Sequence, residues 1–174
     1  MLKVTKFGGS SLSCAAQFEK VKNIVLSDEG RRVVVCSALG KRDSNDTKIT
    51  DLLYILHAHL KYSVPYLDIW AMIHDRFVEV KNKLGIDYNI EADLESLHSE
   101  LNKHISQDYL VSRGEYLTSR LMAAYLGYEF VDAIKLLRYN YDGKLDEENT
   151  IANVKLALTT KHKIVVPWLL WSLS

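Results

Sequence analysis

The sequence has little cysteine and no excess of charge of either sign, and each shortage argues against a class of protein. Only Cys14 and Cys36 occur in 174 residues, too few for a disulfide framework, and they lack the C-x-x-C spacing of common zinc sites. Acidic and basic residues number 22 each, so the formal net charge is zero. Because nucleic-acid-binding proteins usually carry a basic excess, we expect no nucleic-acid partner. We also expect no metal site held by protein ligands.

Long apolar runs are also missing. No run approaches the ~18 residues that a membrane span needs, and the first residues contain no apolar signal-peptide core. We therefore expect no membrane association and a cytoplasmic location. Apolar residues nevertheless make up 48% of the chain, which is enough for a single domain with a sizeable core.

The hydrophobic pattern alternates between strand and helix signals. Short β-branched and apolar runs predict strands, and apolar residues at helical spacing predict helices. The predicted strands are residues 2–7, 31–38, 128–133 and 162–167. The predicted helices are residues 12–26, 49–62, 66–85, 91–105, 106–126 and 149–160, with Asn149 capping the last. A strand, a helix and a strand within the first forty residues are typical of a βαβ unit, so we expect an α/β fold with a mainly parallel sheet.

The first predicted strand ends in KFGGSS, residues 6–11. Ligands of open α/β sheets bind beyond the carboxyl ends of the strands. Glycines let the backbone approach a ligand closely, amides at a helix N-terminus favour an anion, and Lys6 adds a positive charge. The segment therefore suits a phosphate, although Gly-Gly between a strand and a helix is also common as a plain tight turn. It matches neither the P-loop nor the G-x-G-x-x-G pattern.

Three further segments appear in order along the chain: VVVCSALGKRDSNDTKITDLL, SRGEYLTSRLMAAYL and KIVVP. With KFGGSS, this set resembles the aspartokinases of the amino acid kinase family. There, one strand ends in K-F-G-G-[ST]-S, a second ends in V-S-A and leads to T-D-L-L, and a later helix carries S-x-G-E-x-L-[ST]. The resemblance covers residues 1–167, as the N-terminal portion of a catalytic domain. It implies an incomplete three-layer αβα sandwich with a mainly parallel sheet, of the carbamate kinase-like type.

The resemblance also implies an activity. Aspartokinases transfer the γ-phosphoryl group of ATP, bound with Mg²⁺, to the side-chain carboxylate of L-aspartate, giving 4-phospho-L-aspartate for lysine, threonine and methionine synthesis. Because that carboxylate is already ionised, catalysis would depend on positioning and on neutralising phosphate charge. Two alternatives stay open: a kinase for another small amino acid, and a non-catalytic fragment of the same fold that binds an anion or a partner.

The resemblance assigns residues to the phosphates of ATP. Lys6 would stabilise the transferring phosphoryl group, unless it is only a solvated lysine at a strand end. Ser37 would lie near the phosphates or the substrate, unless it is a simple turn serine. The full set of implied phosphate-binding residues is Lys6, Phe7, Gly8, Gly9, Ser10 and Ser37.

The resemblance also assigns residues to aspartate. Thr50 matches the threonine that contacts aspartate in the family, with Thr47 as a rival, and the Asp-Leu-Leu after Thr50 favours Thr50. Glu115 matches the glutamate that helps to hold the amino group of aspartate. Thr50 could instead be only a helix N-cap, and Glu115 could be a solvated helix residue.

Residues 168–174 depart from the family pattern, in which K-I-V-V-P continues as G-F-x-G and R-G-G-S-D follows later. One thymine inserted after the Pro167 codon would turn codons for Gly-Phe-Tyr-Gly into codons for Trp-Leu-Leu-Trp, the residues found at 168–171. We therefore hypothesise a frameshifted aspartokinase, against the alternative of a genuine short protein. An uncovered sheet edge invites association, so we expect a homo-oligomer. We also expect weak or absent kinase activity, because R-G-G-S-D and most of the adenine site of the family pattern are missing from this sequence.

Overall fold

The computed structural model describes residues 1–168. Four strands lie in this part of the chain: β1 (Lys3–Phe7), β2 (Arg31–Cys36), β3 (Glu129–Phe130) and β4 (Ile164–Pro167). A short 3₁₀ helix covers Gly9–Leu12. The α helices are α1 (Ala15–Leu26), α2 (Ile49–Lys61), α3 (Leu67–Leu84), α4 (Ile90–Glu100), α5 (Gln107–Leu126), α6 (Ala133–Leu136) and α7 (Glu147–Lys161).

The four strands form one sheet in the order β1-β2-β4-β3, and all three neighbouring pairs are parallel. The near-continuous apolar sequences of β2 and β4 fit this arrangement, because strands buried on both faces need apolar side chains on both. The predicted α/β fold with a mainly parallel sheet is thus confirmed.

Side chains that alternate along the central strands face two separate cores. Val34 and Val165 pack on one face with α1–α5, whereas Val33, Ile164 and Val166 pack on the other face with α6 and α7. The predicted three-layer αβα arrangement is therefore confirmed, with most of the helical mass on one side of the sheet. Within residues 1–168, no helix has both the length and the apolar composition to cross a membrane.

Several predicted boundaries differ from the structure. The helix predicted to run to residue 105 ends at Glu100. The strand predicted over 128–133 keeps only two residues, because the Asp132 side chain accepts a hydrogen bond from the Ile134 amide and caps α6. The prediction that Asn149 caps the last long helix is wrong: the cap is Asp146, whose side chain accepts a hydrogen bond from the Asn149 amide.

Candidate functional site

The carboxyl ends of three strands lie level at one edge of the sheet. Phe7 of β1 is in register with Cys36 of β2, and Cys36 is in register with Pro167 of β4. The pairing continues just beyond the strands, because the Ser37 amide donates to the Phe7 carbonyl and the Trp168 amide donates to the Cys36 carbonyl. The segments that leave these strands therefore start side by side.

Two of these segments touch through glycine backbones. The amide of Gly40 donates to the carbonyl of Gly9 over 3.0 Å. A Cβ atom at Gly40 would lie 2.4 Å from the Gly9 carbonyl carbon and 2.8 Å from the Ser10 amide nitrogen. Because backbone atoms cannot rotate away as a side chain can, only glycine at position 40 permits this approach.

A cavity of about 510 Å³ lies at this edge of the sheet. Five of its lining residues are among those assigned by the resemblance: Gly9, Ser10, Ser37, Thr50 and Glu115. The others are Ala38, Leu39, Gly40, Lys41, Lys48 and Trp168. The structure thus brings together most of the assigned residues, from both the phosphate and the aspartate group.

Glu115 is the buried acid of this cavity. It lies on α5 and only 3% of its surface is exposed, so the solvated alternative does not describe it. Burial raises the pKa of the carboxyl group from 4.5 to about 7, although hydrogen bonds from the backbone of Glu115 and Ala38 and the charge of Arg113 partly oppose this rise. Glu115 can therefore change its charge state near neutral pH.

A glycine on α5 lets Glu115 reach the cavity. A Cβ atom at Gly114 would lie 3.0 Å from the Cβ of Ala38 and 3.1 Å from a methyl carbon of Leu53. Without a side chain at this position, α5 packs closely against α2 and against the segment that follows β2. This close packing explains why the S-R-G-E sequence places a glycine directly before the glutamate.

The structure separates the two candidate threonines. Thr50 lines the cavity and lies in the first turn of α2, whose N-cap position is Lys48, so Thr50 is not the cap residue. The carbonyl of Thr47 accepts a hydrogen bond from the Arg76 guanidinium, which places Thr47 on the α3 side of the loop. The N-terminal end of α2 lies at the cavity, because Lys48 and Thr50 both line it, and a helix N-terminus carries a partial positive charge.

Lys6, Phe7 and Gly8 are not among the residues that line the cavity. Phe7 is half-buried against the larger core, and the Gly8 carbonyl accepts a hydrogen bond from the Ser11 amide. The ammonium group of Lys6 lies 4.7 Å from the centre of the Trp168 ring. This is a cation–π contact with a residue that stands where the family pattern has glycine.

Sequence reasoning did not single out the two lysines that line the cavity. Lys41 and Lys48 flank a polar loop between β2 and α2, and both side chains are exposed. The available signal was the position of this loop, which follows the carboxyl end of a predicted strand as KFGGSS does. Counting the charged residues in the loops that follow predicted strands would have identified Lys41 and Lys48.

A larger cavity of about 750 Å³ lies elsewhere, between the α2–α3 connection and the segment after α4. Its lining includes His59, Asp68 and Lys103, and it includes no residue assigned by the resemblance. The smaller cavity at the strand ends is the candidate site, because chemistry-bearing residues converge on it from four parts of the chain.

Known proteins match the chain over most of its length. The sequence model described as the amino acid kinase family matches residues 1–169. Aspartokinase 3 of Bacillus subtilis is 35% identical over 141 residues, which cover 76% of this chain and 30% of the relative. The chloroplastic aspartokinase 2 of Arabidopsis thaliana is 36% identical over 134 residues, covering 71% and 24%.

Two solved structures are also similar to this chain over most of its length. The aspartate kinase of Clostridium acetobutylicum is 41% identical with a TM-score of 0.89, over 95% of this chain and 38% of that one. Aspartokinase III of E. coli, solved in complex with aspartate and ADP, has a TM-score of 0.75 at 23% identity over 95% and 40%, and this likeness shows the fold alone. The chain thus spans less than half the length of these relatives. Since the family model covers nearly all of its residues, the chain belongs to the amino acid kinase family.

Proposed function

We propose that this chain carries the aspartate- and phosphate-binding part of an aspartate kinase. The observation that carries the proposal is the cavity at the strand ends, which is lined by the buried acid Glu115, the hydroxyl residue Thr50, the glycine backbone at Gly9 and two lysines. The 41% identical relative from Clostridium acetobutylicum is an aspartate kinase, and this likeness supports aspartate and ATP as the substrates.

The reaction needs no protein base. An oxygen of the side-chain carboxylate of L-aspartate attacks the γ-phosphorus of ATP, the bond from that phosphorus to the β,γ-bridging oxygen breaks, and ADP leaves with the electron pair. The products are ADP and 4-phospho-L-aspartate. Mg²⁺ enters with ATP as part of the substrate. The protein would contribute position and positive charge, which dominate phosphoryl transfer.

The lysines of the cavity suit the phosphates. Lys41 and Lys48 line it, and the first turn of α2 adds a positive dipole end. Lys6 lies over the ring of Trp168, another lining residue, and in the proposed kinase its ammonium group would leave that ring for the transferring phosphoryl group. The close contact between Gly9 and Gly40 joins the two backbone segments that line the cavity.

Glu115 suits the amino group of aspartate. An ammonium group placed beside a buried carboxyl group favours its ionised form. Binding of aspartate near pH 7 would therefore lower the raised pKa of Glu115 and release a proton. Thr50 offers its hydroxyl to a carboxylate of the same substrate. Homo-oligomer formation and a cytoplasmic location, expected from the sequence, belong to this proposal as well.

Hydroxylamine trapping tests the proposal, because acyl phosphates react with hydroxylamine to give a coloured hydroxamate complex with iron. We expect slow, ATP-dependent hydroxamate formation from L-aspartate, which Lys6→Ala abolishes. Lys3→Ala is the matched control, since Lys3 lies on the same strand but pairs with Asp28 at the far end, and it should keep the wild-type rate.

Other outcomes would contradict parts of the proposal. Full activity of Lys6→Ala would refute the assigned role of Lys6. Faster reaction with another small amino acid, such as L-glutamate, would refute the substrate. Calorimetric binding of MgATP and L-aspartate without any hydroxamate would refute turnover by this chain and favour a non-catalytic anion-binding fragment.

A further inference from the structure

One arginine holds the loop that brings both cavity lysines to the site. We call residues 40–48 the lysine loop, because Lys41 and Lys48 lie at its two ends. This loop contains no helix or strand, so bonds from neighbouring elements contribute to its shape together with its own turn between Asp43 and Asp46. Two side chains of α3 reach the loop: Glu79 pairs with the exposed Arg42, and Arg76 extends a guanidinium of which only 5% is exposed.

Arg76 reaches both ends of the lysine loop at once. Its guanidinium donates to the Gly40 carbonyl at 2.7 Å, to the Thr47 carbonyl at 3.2 Å and to the Asp46 carboxylate at 2.8 Å. A fourth bond, at 3.3 Å, goes to the carbonyl of Ser13, directly after the 3₁₀ helix that carries Ser10. The same side chain therefore joins the segments that follow β1 and β2, and both segments line the cavity.

The chemistry of these contacts is specific to arginine. A guanidinium has five N–H donors in a rigid plane, whereas a lysine ammonium has three donors at one point. Three of the four acceptors are the backbone carbonyls of Ser13, Gly40 and Thr47, which lie far apart along the sequence. A single ammonium group cannot reach all three together. Arg76 thus satisfies buried carbonyls that would otherwise lose their hydrogen bonds.

The charge of Arg76 is balanced inside the loop itself. Asp46 also accepts hydrogen bonds from the side chain and the amide of Arg42. The hydrogen bond from Arg42, followed by smaller contributions that include the charge of Arg76, holds the pKa of Asp46 well below its usual range. The ion pair between Asp46 and Arg76 is therefore intact at neutral pH, and a buried pair is costly to break from one side.

We propose that Arg76 is a positioning residue of the candidate site, which holds the lysine loop so that Lys41, Lys48 and Gly40 face a bound polyphosphate. Identifying the ligand as the polyphosphate of ATP rests on the proposed function. That Arg76 holds the loop rests on its hydrogen bonds alone. Because Arg76 touches the loop and not the cavity, it acts through the lysines and does not contact the substrate itself.

The test compares Arg76→Met and Arg76→Lys with a matched control, Lys81→Met. Lys81 lies on the same helix and forms an ion pair with Glu91 of α4, away from the cavity. Hydrogen exchange measured by mass spectrometry reports on residues 40–48, and calorimetry measures binding of inorganic tripolyphosphate and, separately, of L-aspartate. In the proposed site the two ligands depend on different lining residues, tripolyphosphate on Lys41 and Lys48 and L-aspartate on Glu115 and Thr50, so a general loss of structure would weaken both.

We expect Arg76→Met to raise the exchange rate in the lysine loop about tenfold while α5 stays protected. Tripolyphosphate binding should weaken by about tenfold to a hundredfold, because displaced lysines no longer converge, whereas L-aspartate binding should stay near wild type. Arg76→Lys should fall between, since it keeps the charge but loses most of the carbonyl bonds. Lys81→Met should match wild type in all three measurements.

Unchanged loop exchange or unchanged tripolyphosphate affinity in Arg76→Met would overturn the inference. If that variant does not fold, the lysine variant decides by the same criteria. Equal weakening of both ligands would also overturn it, because that result describes a general structural role. Failure of the wild-type chain to bind tripolyphosphate would refute the proposed function and the phosphate part of this inference, while faster loop exchange in the variants would still support the holding role.

Discussion

The buried carboxyl group of Glu115 should make the stability of the protein depend on pH in a way that Glu115→Gln removes. In the folded chain the pKa of Glu115 is about 7, against an ordinary value of 4.5. Between these two values the folded state holds a proton that the unfolded state has lost. By proton linkage, the free energy of unfolding must then fall as the pH rises through this window. Below pH 4.5 this contribution is fully present, and above pH 7 it is lost.

The size of the effect follows from the shift. A difference of about 2.5 pKa units corresponds to about 3 kcal/mol in total. Between pH 5 and pH 8, the linkage relation gives a loss of about 2.5 kcal/mol, because the unfolded carboxyl group is already mostly ionised at pH 5. Glutamine fills a similar volume and carries no titrating proton, so the variant should lack this loss.

Urea denaturation from pH 5 to pH 8 measures the effect as the difference between wild type and Glu115→Gln at each pH. That difference removes the pH dependence of stability that comes from all the other titrating groups, because the two proteins share them. Glu95→Gln is the matched control, because Glu95 is an exposed glutamate on α4, and its stability should parallel that of wild type. Parallel curves for wild type and Glu115→Gln would refute the burial argument and, with it, the expected proton release on aspartate binding.

Two further perturbations test the loops around the cavity. Gly40→Ala should lower the free energy of unfolding by about 1–3 kcal/mol in urea, because its Cβ would overlap the Gly9 backbone. Gly8→Ala, where a Cβ meets no atom within 4 Å, should change it by less than about 0.5 kcal/mol, and equal effects would contradict the contact. Trp168→Gly should strengthen calorimetric binding of tripolyphosphate, because it frees the Lys6 ammonium from a cation–π contact of about 0.5–1 kcal/mol. Weaker binding would mean that the ring supports the ligand.

The parallel sheet and its long helices could be predicted because their signals are local. The apolar run of β2 and the helical spacing of α2, α3 and α5 each lie within one element. The ends of elements were less predictable, since they depend on side-chain caps. Asp132 and Asp146 both cap helices, and neither choice could be read from hydrophobic spacing alone.

The residues of the candidate site also include some that local sequence predicts and some that depend on contacts between distant parts of the chain. Gly9, Ser10, Ser37, Thr50 and Glu115 could be assigned because they belong to contiguous motifs, and the cavity brings them together. The contribution of Gly40 could not be predicted, because it arises from a contact with Gly9 far away in sequence. Arg76 also gave no signal: it looks like an ordinary polar residue of an amphipathic helix until the fold places the lysine loop beside it.

The distribution of charge in the cavity has a consequence for how a substrate would lie in the proposed kinase. Lys41, Lys48 and the first turn of α2 supply positive charge to the cavity, and the buried acid Glu115 lines it as well. An amino acid with its ammonium group at Glu115 would direct its side-chain carboxylate toward the cations. There the carboxylate would meet the γ-phosphate, so the same charges that bind the two anions would also set the line of attack.

A substrate without the amino group, such as succinate, would lose this orientation and leave Glu115 without a partner. The proposed site should therefore bind L-aspartate more tightly than succinate. Competition calorimetry should show a smaller ratio of the two affinities for Glu115→Gln than for wild type. An unchanged ratio would mean that Glu115 does not hold the amino group.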